Sequence, residues 1–323
     1  MTAVLDPDAE TLLSGASFCH VAVRTPFGPH VTPMVFASWA GRLWATTARS
    51  STKARAWRDD DRVAGLVDDD DDAVSFTGHV RTFDALDPGT WIATLREAPT
   101  LALATARFAA KNARFFAGYA ADARSVPFAW MPPGRIFVEI SLERARRWGP
   151  VDRPGGASAV PSVDRFRAAG AGTDPWRLLP VEIAEAVGRA GRGALAVWSR
   201  RPSVVPAAWV VRGAGVYAVV PSHMLEGVLE PRVPVALGVD RPTWWRAREM
   251  VGAMVQGVGE VAVLDRLTSG RRAGREVVSE ASVEVDDAAL VRIRPTRLVW
   301  WRGWSSGSVP VRGMRTRAGT RSG

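Results

Sequence analysis

The chain has 323 residues, 47% of them hydrophobic and 23% charged, which fits a soluble globular protein of about two domains. No apolar run approaches the ~18 residues that a membrane helix needs, and a single cysteine, Cys19, excludes an internal disulfide; no Cys/His spacing indicates a metal site. The formal net charge of +9 raises the question of nucleic acid, but the arginines are spread along the chain, so nucleic-acid binding is not expected.

The opening MTAVLDPDAE is acidic rather than basic and then apolar, so the cytoplasm is the expected compartment. Residues 6–15 read as a short helix, with Asp6 as N-cap, Pro7 in the first turn and Gly15 as the stop. Residues 19–24 and 31–39 read as strands on either side of a turn carrying Pro26, Gly28 and Pro29, and Ala40-Gly41 leads into a third strand at 43–46. Residues 46–53 form a loop dense in hydroxyls, with Thr46, Thr47, Ser50, Ser51 and Thr52 closing on Lys53. Hydroxyls beside a compact ammonium charge suit a phosphate, although the same residues suit a solvated loop that caps a helix at 53–58. The only other lysine, Lys111, reads as a solvated helix residue.

A fourth strand is expected at 62–67. The aspartate run 68–72 lacks the spaced ligands and turn glycine of a calcium loop and reads as a solvated turn. A fifth strand at 73–83 carries Gly78 in its middle, where a bulge is predicted. Residues 88–124 are Ala-rich, with an aromatic stripe at Phe108, Phe115, Phe116 and Tyr119, and read as a helical insertion packed on the core. A sixth strand follows at 135–142. Residues 150–179, rich in Pro, Gly, Ser and Ala, read as a linker.

The second half repeats the first. A helix at 181–187 leads to a strand at 194–198, and VVPAAWVVRGAGVYAVV at 204–220 copies the hairpin, with Pro206 standing for Pro33. PRVPVAL at 231–237 parallels DRVAGLV at 61–67, residues 254–263 parallel 75–84, and VRIRPTRLVWWRG answers VEISLERARRWG. The expected fold is therefore mainly β with α: two six-stranded antiparallel split barrels in one chain. The first spans 1–149, the linker 150–179 and the second 180–304, with a disordered basic tail at 305–323. Hairpin-rich sheets of this kind close into barrels, which removes exposed edges.

VTPMVF (31–36), LWATTARSSTK (43–53), DDRVAGLV (60–67) and VSFTGHVRTFD (74–84), in this order, resemble the pyridoxamine 5'-phosphate oxidase-like family of flavin-binding split barrels. The resemblance covers most of 15–148 apart from the insertion. It implies FMN, or alternatively a deazaflavin coenzyme, held in a groove between two barrels that form a pseudodimer within the chain. Ser51, Thr52 and Lys53 would hold the phosphate, Thr46 and Thr47 would lie beside the flavin, and the backbone at Pro33, Met34 and Val35 would face the ring. Trp301 and Arg302 would come from the second barrel. The second copy's loop, VPSHMLEGVLEPRV (220–233), has no lysine and adds Glu226 and Glu230, so one competent site is expected. The implied activity is an oxidoreductase acting on a small molecule; a non-catalytic flavin or haem carrier is the competing class.

Overall fold

The computed structural model describes residues 5–69, 72–122, 124, 126–127, 134–149, 174–225, 232–241, 243, 246–263 and 288–311. Helix α1 (Pro7–Gly15) begins at Asp6, whose carboxylate accepts the Ala9 N–H at 2.7 Å. Strands β1 (Phe18–Thr25), β2 (Gly28–Trp39) and β3 (Arg42–Ala48) form a meander. Helix α2 (Thr52–Asp59), β4 (Arg62–Asp68), β5 (Ala73–Phe83) and β6 (Arg135–Trp148) follow, and the six strands close into a barrel in the order β1-β2-β3-β6-β5-β4. Ala40 and Gly41 both have positive φ, 53° and 69°, as a two-residue hairpin turn between twisted strands requires.

Helices α3 (Pro88–Arg96), α4 (Ala98–Lys111) and α5 (Ala113–Ala121) lie between β5 and β6 in the chain. Trp44, on the outer face of β3, stacks with Phe83 and Phe137, and Phe108 of α4 meets Phe137 edge-on, so the aromatic stripe is a packing surface. Lys111 is not the solvated residue the sequence implies. Its Nζ donates to Leu13 O at 3.1 Å and lies 4.3 Å from the Phe36 ring centre, and burial lowers its pKa to about 8.

The second repeat has α6 (Val181–Val187), then β7 (Ala190–Val197), β8 (Ser203–Arg212), β9 (Gly215–Pro221), β10 (Arg232–Arg241), β11 (Val251–Val263) and β12 (Ala288–Arg302). Its ring order is β7-β8-β9-β12-β11-β10, closed by β11–β12 pairing, which is the order of the first barrel shifted by six strands. Both rings have a register shift at a glycine, Thr77/Gly78 and Gln256/Gly257. Superposing the two shifts places Trp148 on Trp301 and Pro33 on Pro206, as the internal repeat predicts. Ser305–Pro310 departs from the expected disordered tail: it is a further strand, β13, paired with β12. The linker residues 150–173, the loop residues 226–231 and the rest of the tail lie outside the described residues.

The barrels pack through equivalent strands, each of which stays in its own ring. In the first barrel β2 lies on β10 and β11, and in the second β8 lies on β4 and β5. Val31 N–H meets Met254 Sδ at 3.1 Å, and at the equivalent place the Ser75 hydroxyl donates to Val204 O at 2.5 Å. Ala22, Val31, Ala64, Leu66 and Ala73 of the first barrel are fully buried in the same apolar cluster as the interior of the second. An interface of this kind is a core shared by two halves. Residues 1–149 expressed alone are therefore expected to self-associate or aggregate; a monodisperse monomer by light scattering would contradict the shared core.

Candidate functional site

Pairing with β6 extends β3 through Thr46, Thr47 and Ala48, so the hydroxyl-rich loop shortens to residues 49–51. Strand alternation then places Thr46 and Thr47 on opposite faces. Thr46 looks away from Lys53: its hydroxyl takes hydrogen bonds from Arg135 Nε at 3.0 Å and from a terminal nitrogen of the same guanidinium at 2.7 Å. Thr47 instead donates to Ser51 Oγ at 3.0 Å. Ser51 is the N-cap of α2 and accepts the Ala54 N–H at 3.0 Å. Thr52 opens the helix, whose first N–H groups have no partner within it.

Lys53, Ala54 and Trp57 form the buried face of α2 against the mouth of the first barrel. Lys53 is only 5% exposed. Its Nζ donates to Thr32 O at 3.0 Å and also to Thr32 Oγ1. Burial lowers its pKa from 10.5 to about 7, against a smaller upward pull from Cys19 and Asp240. Cys19 lies in the same interior, and burial raises its pKa to about 12, so it is a thiol at neutral pH and not a nucleophile.

Asp240, from the second barrel, reaches His20 of β1 at 2.6 Å. Although burial opposes the charged imidazole, this carboxylate raises the His20 pKa overall. Trp301 stands beside Asp240, because a Cβ at Gly252 would meet both the Trp301 ring and Asp240 Cβ. Among the described residues neither Trp301 Nε1 nor Asp240 Oδ2 has a hydrogen-bond partner. Arg302 is exposed and takes its place only through the backbone pairing of β12 with Val251 and Ser305.

Met34 is buried in the interior of the first barrel, so only its backbone faces outward, whereas Pro33 and Val35 are half-buried on the outer face. Beside Val35 lies a cavity of about 220 Å³ bounded by Phe18, Lys111, Asn112 and Phe115. The structure thus joins Thr47 to Ser51 at the start of α2, turns Lys53 to Thr32, places Trp301 beside Asp240, whose charge acts on Lys53, and bonds Thr46 to Arg135. Thr32, His20 and Asp240 are not apparent from the sequence reading. Their one sequence signal is the aspartate that ends both VAGLVD (63–68) and VALGVD (235–240).

These groups fit a phosphate-bearing planar cofactor. A helix N-terminus, two hydroxyls and an ammonium suit the anion, and an unpartnered donor and acceptor sit by the barrel junction. Among the described residues no group of side chains has the makings of a metal site, and no helix is long and apolar enough to cross a membrane.

No protein-family model matches the chain, and no curated relative matches it. Solved structures similar to it include a conserved hypothetical protein of Mycobacterium tuberculosis, 23% identical, covering 46% of this chain and 87% of that one, with a TM-score of 0.33. A pyridoxamine 5'-phosphate oxidase-related, FMN-binding protein of Nostoc punctiforme is 17% identical over 45% of this chain and 85% of that one, with a TM-score of 0.32. An F420 reductase is 20% identical over 44% of this chain and 98% of that one, with a TM-score of 0.29.

Proposed function

We propose that this protein is an oxidoreductase of the pyridoxamine 5'-phosphate oxidase-like type that holds a flavin or deazaflavin between its two barrels, FMN being the first choice. The observation that carries this reading is Lys53. A buried ammonium with a pKa near 7 and no carboxylate bonded to it costs the fold stability, and such groups concentrate at functional sites. A phosphate brought to the start of α2 supplies the missing countercharge. Thr47, Ser51, Thr52 and Lys53 would hold that phosphate, with the ring along Pro33 and Val35 and Trp301 closing the site from the second barrel.

When bound, the cofactor supplies the hydride or electron chemistry, and the protein's part is to bind, orient and exclude water. Ser51 and the first N–H groups of α2 fix the position of the anion, Lys53 keeps its proton next to it, and the His20–Asp240 pair locks the second barrel against the site. The chain needs no acid/base pair of its own for this role.

The test is absorbance of the purified protein followed by titration with FMN and with deazaflavin. Flavin bands or saturable binding of either are expected, and Lys53→Ala should weaken binding at least tenfold while His223→Ala leaves it unchanged. A colourless protein that takes up neither would refute the reading, and equal losses in the two variants would refute a site at Lys53. A haem band in place of flavin bands would favour the carrier class.

A further inference from the structure

The two barrel junctions are equivalent by the internal repeat but differ in their chemistry. At the junction that holds Asp240 and Trp301, Arg297 lies 4.4 Å from the Phe27 ring centre and Gln256 bonds Pro29 O at 2.7 Å. The opposite junction is a groove of about 750 Å³, within the usual range for small-molecule sites. It is formed by β4, β5 and β6 of the first barrel, by the β7–β8 turn, and by His223 and Met224 of the second.

Among the described residues five arginines line this groove, Arg62, Arg144, Arg146, Arg200 and Arg201, against one carboxylate, Glu143. Arg62 is paired to Asp60 through two hydrogen bonds, and Arg146 lies over the Trp148 ring at 4.2 Å. Among the described residues Arg144, Arg200 and Arg201 are exposed and have no carboxylate partner. The fold does not require these charges. Counting from the paired ladders, Pro234 stands where Arg62 does, Val299 where Arg146 does, and Phe27 and Gly28 where Arg200 and Arg201 do. Only Arg144 has an arginine counterpart, Arg297, and that one is held by Phe27 and by Ser308 at 2.6 Å. Four arginines have thus been placed in one junction and not in its twin.

We infer that this second groove binds a small molecule bearing several clustered negative charges, of the diphosphate or triphosphate class. Guanidinium forks from two barrels converge on it, and they match phosphate oxygens bidentately. The Thr77 and Ser203 hydroxyls lie in the same wall as added donors, and the half-buried His223 ring, 5.5 Å from the buried Trp148, offers an aromatic surface for the rest of the molecule. This assignment does not depend on the cofactor reading, since none of these residues belongs to the Lys53 site.

The experiment is calorimetric titration of the full chain with inorganic pyrophosphate and with ATP at low salt. One-to-one binding that weakens with added salt is expected for at least one of them. The Arg144→Ala/Arg200→Ala/Arg201→Ala variant should lose at least tenfold in affinity, while Arg177→Ala, at an exposed arginine outside the groove, leaves it unchanged. Arg200→Glu/Arg201→Glu, confined to an exposed turn, should abolish binding with an unaltered circular dichroism spectrum. No binding to wild type, equal affinity in the arginine variants, or binding of a single-stranded oligonucleotide without binding of either phosphate compound would overturn the inference.

Discussion

Lys53→Met will make the protein more stable and should abolish the flavin or deazaflavin binding proposed for it. The lysine carries a desolvation cost: a pKa lowered from 10.5 to about 7 corresponds to roughly 5 kcal/mol at about 1.36 kcal/mol per unit. The substitution also removes two hydrogen bonds to Thr32, a loss on the order of 1–3 kcal/mol, so a net gain of about 2 kcal/mol is expected near pH 6. Below pH 7 both folded and unfolded chains keep the proton, and the full cost applies. Between pH 7 and 10.5 the unfolded chain still holds a proton that the folded chain has released, so stability rises with pH; above 10.5 the cost is gone.

The advantage of Lys53→Met over wild type should therefore be largest below pH 7 and shrink steadily towards pH 10.5. Comparing the two proteins isolates this effect from His20, whose raised pKa acts with the opposite sign above its unfolded value, and from Lys111, which acts in the same direction. Urea melts at pH 6, 8 and 10 measure the difference. A variant less stable than wild type at pH 6 would show that the ammonium is compensated in the folded chain and would remove the main support for a functional lysine.

Gly78→Ala will destabilise the first barrel by about 3 kcal/mol or more. The added Cβ would lie 2.1 Å from Ser141 O, a backbone atom of the neighbouring strand, at the position where β5 and β6 change register. Neither strand can retreat, because β5 is also paired to β4 and β6 to β3, and the ring is closed. Gly257→Ala should behave alike in the second barrel, where the Cβ would lie 2.2 Å from Arg294 O. Gly15→Ala is the control: its Cβ meets nothing within 4 Å, so its melting temperature should stay near that of wild type. A Gly78→Ala protein that melts with the control would mean that the bulge relaxes freely.

Much of the fold was legible before any coordinates. Alternation of apolar residues and the Gly and Pro punctuation placed the strands, because period-two burial follows directly from the pleat. Strand β5 was expected at 73–83 and runs from Ala73 to Phe83, and its central glycine marks the bulge. The helix 181–187 was equally plain. Strand ends were less so: β3 extends beyond its apolar run because it lies against β6, so that polar Thr46 and Thr47 acquire strand geometry, and β6 runs on to Trp148 because its second half pairs with β5. Ser305–Pro310 became a strand for the same reason, through β12.

The site was legible only in part. Hydroxyls next to a lysine suit an anion, but a string of residues does not say which way each hydroxyl faces. The ladder turned Thr46 towards Arg135 and Thr47 towards Ser51. By itself, then, the sequence determined that the chain is one unit written twice, with its strands in order, a glycine at each bulge and a hydroxyl-rich loop ending in a lysine in the first copy. These follow from local backbone preference and from periodicity, which neighbouring residues carry. Only the tertiary structure decided that β2 and β8 each pack on the opposite barrel across a shared core, that His20 meets Asp240 from 220 positions away, that Lys53 is buried, and that the arginines line the opposite junction. Burial and charge convergence depend on which distant residues meet when both rings close, and that is set by the packing of one barrel on the other.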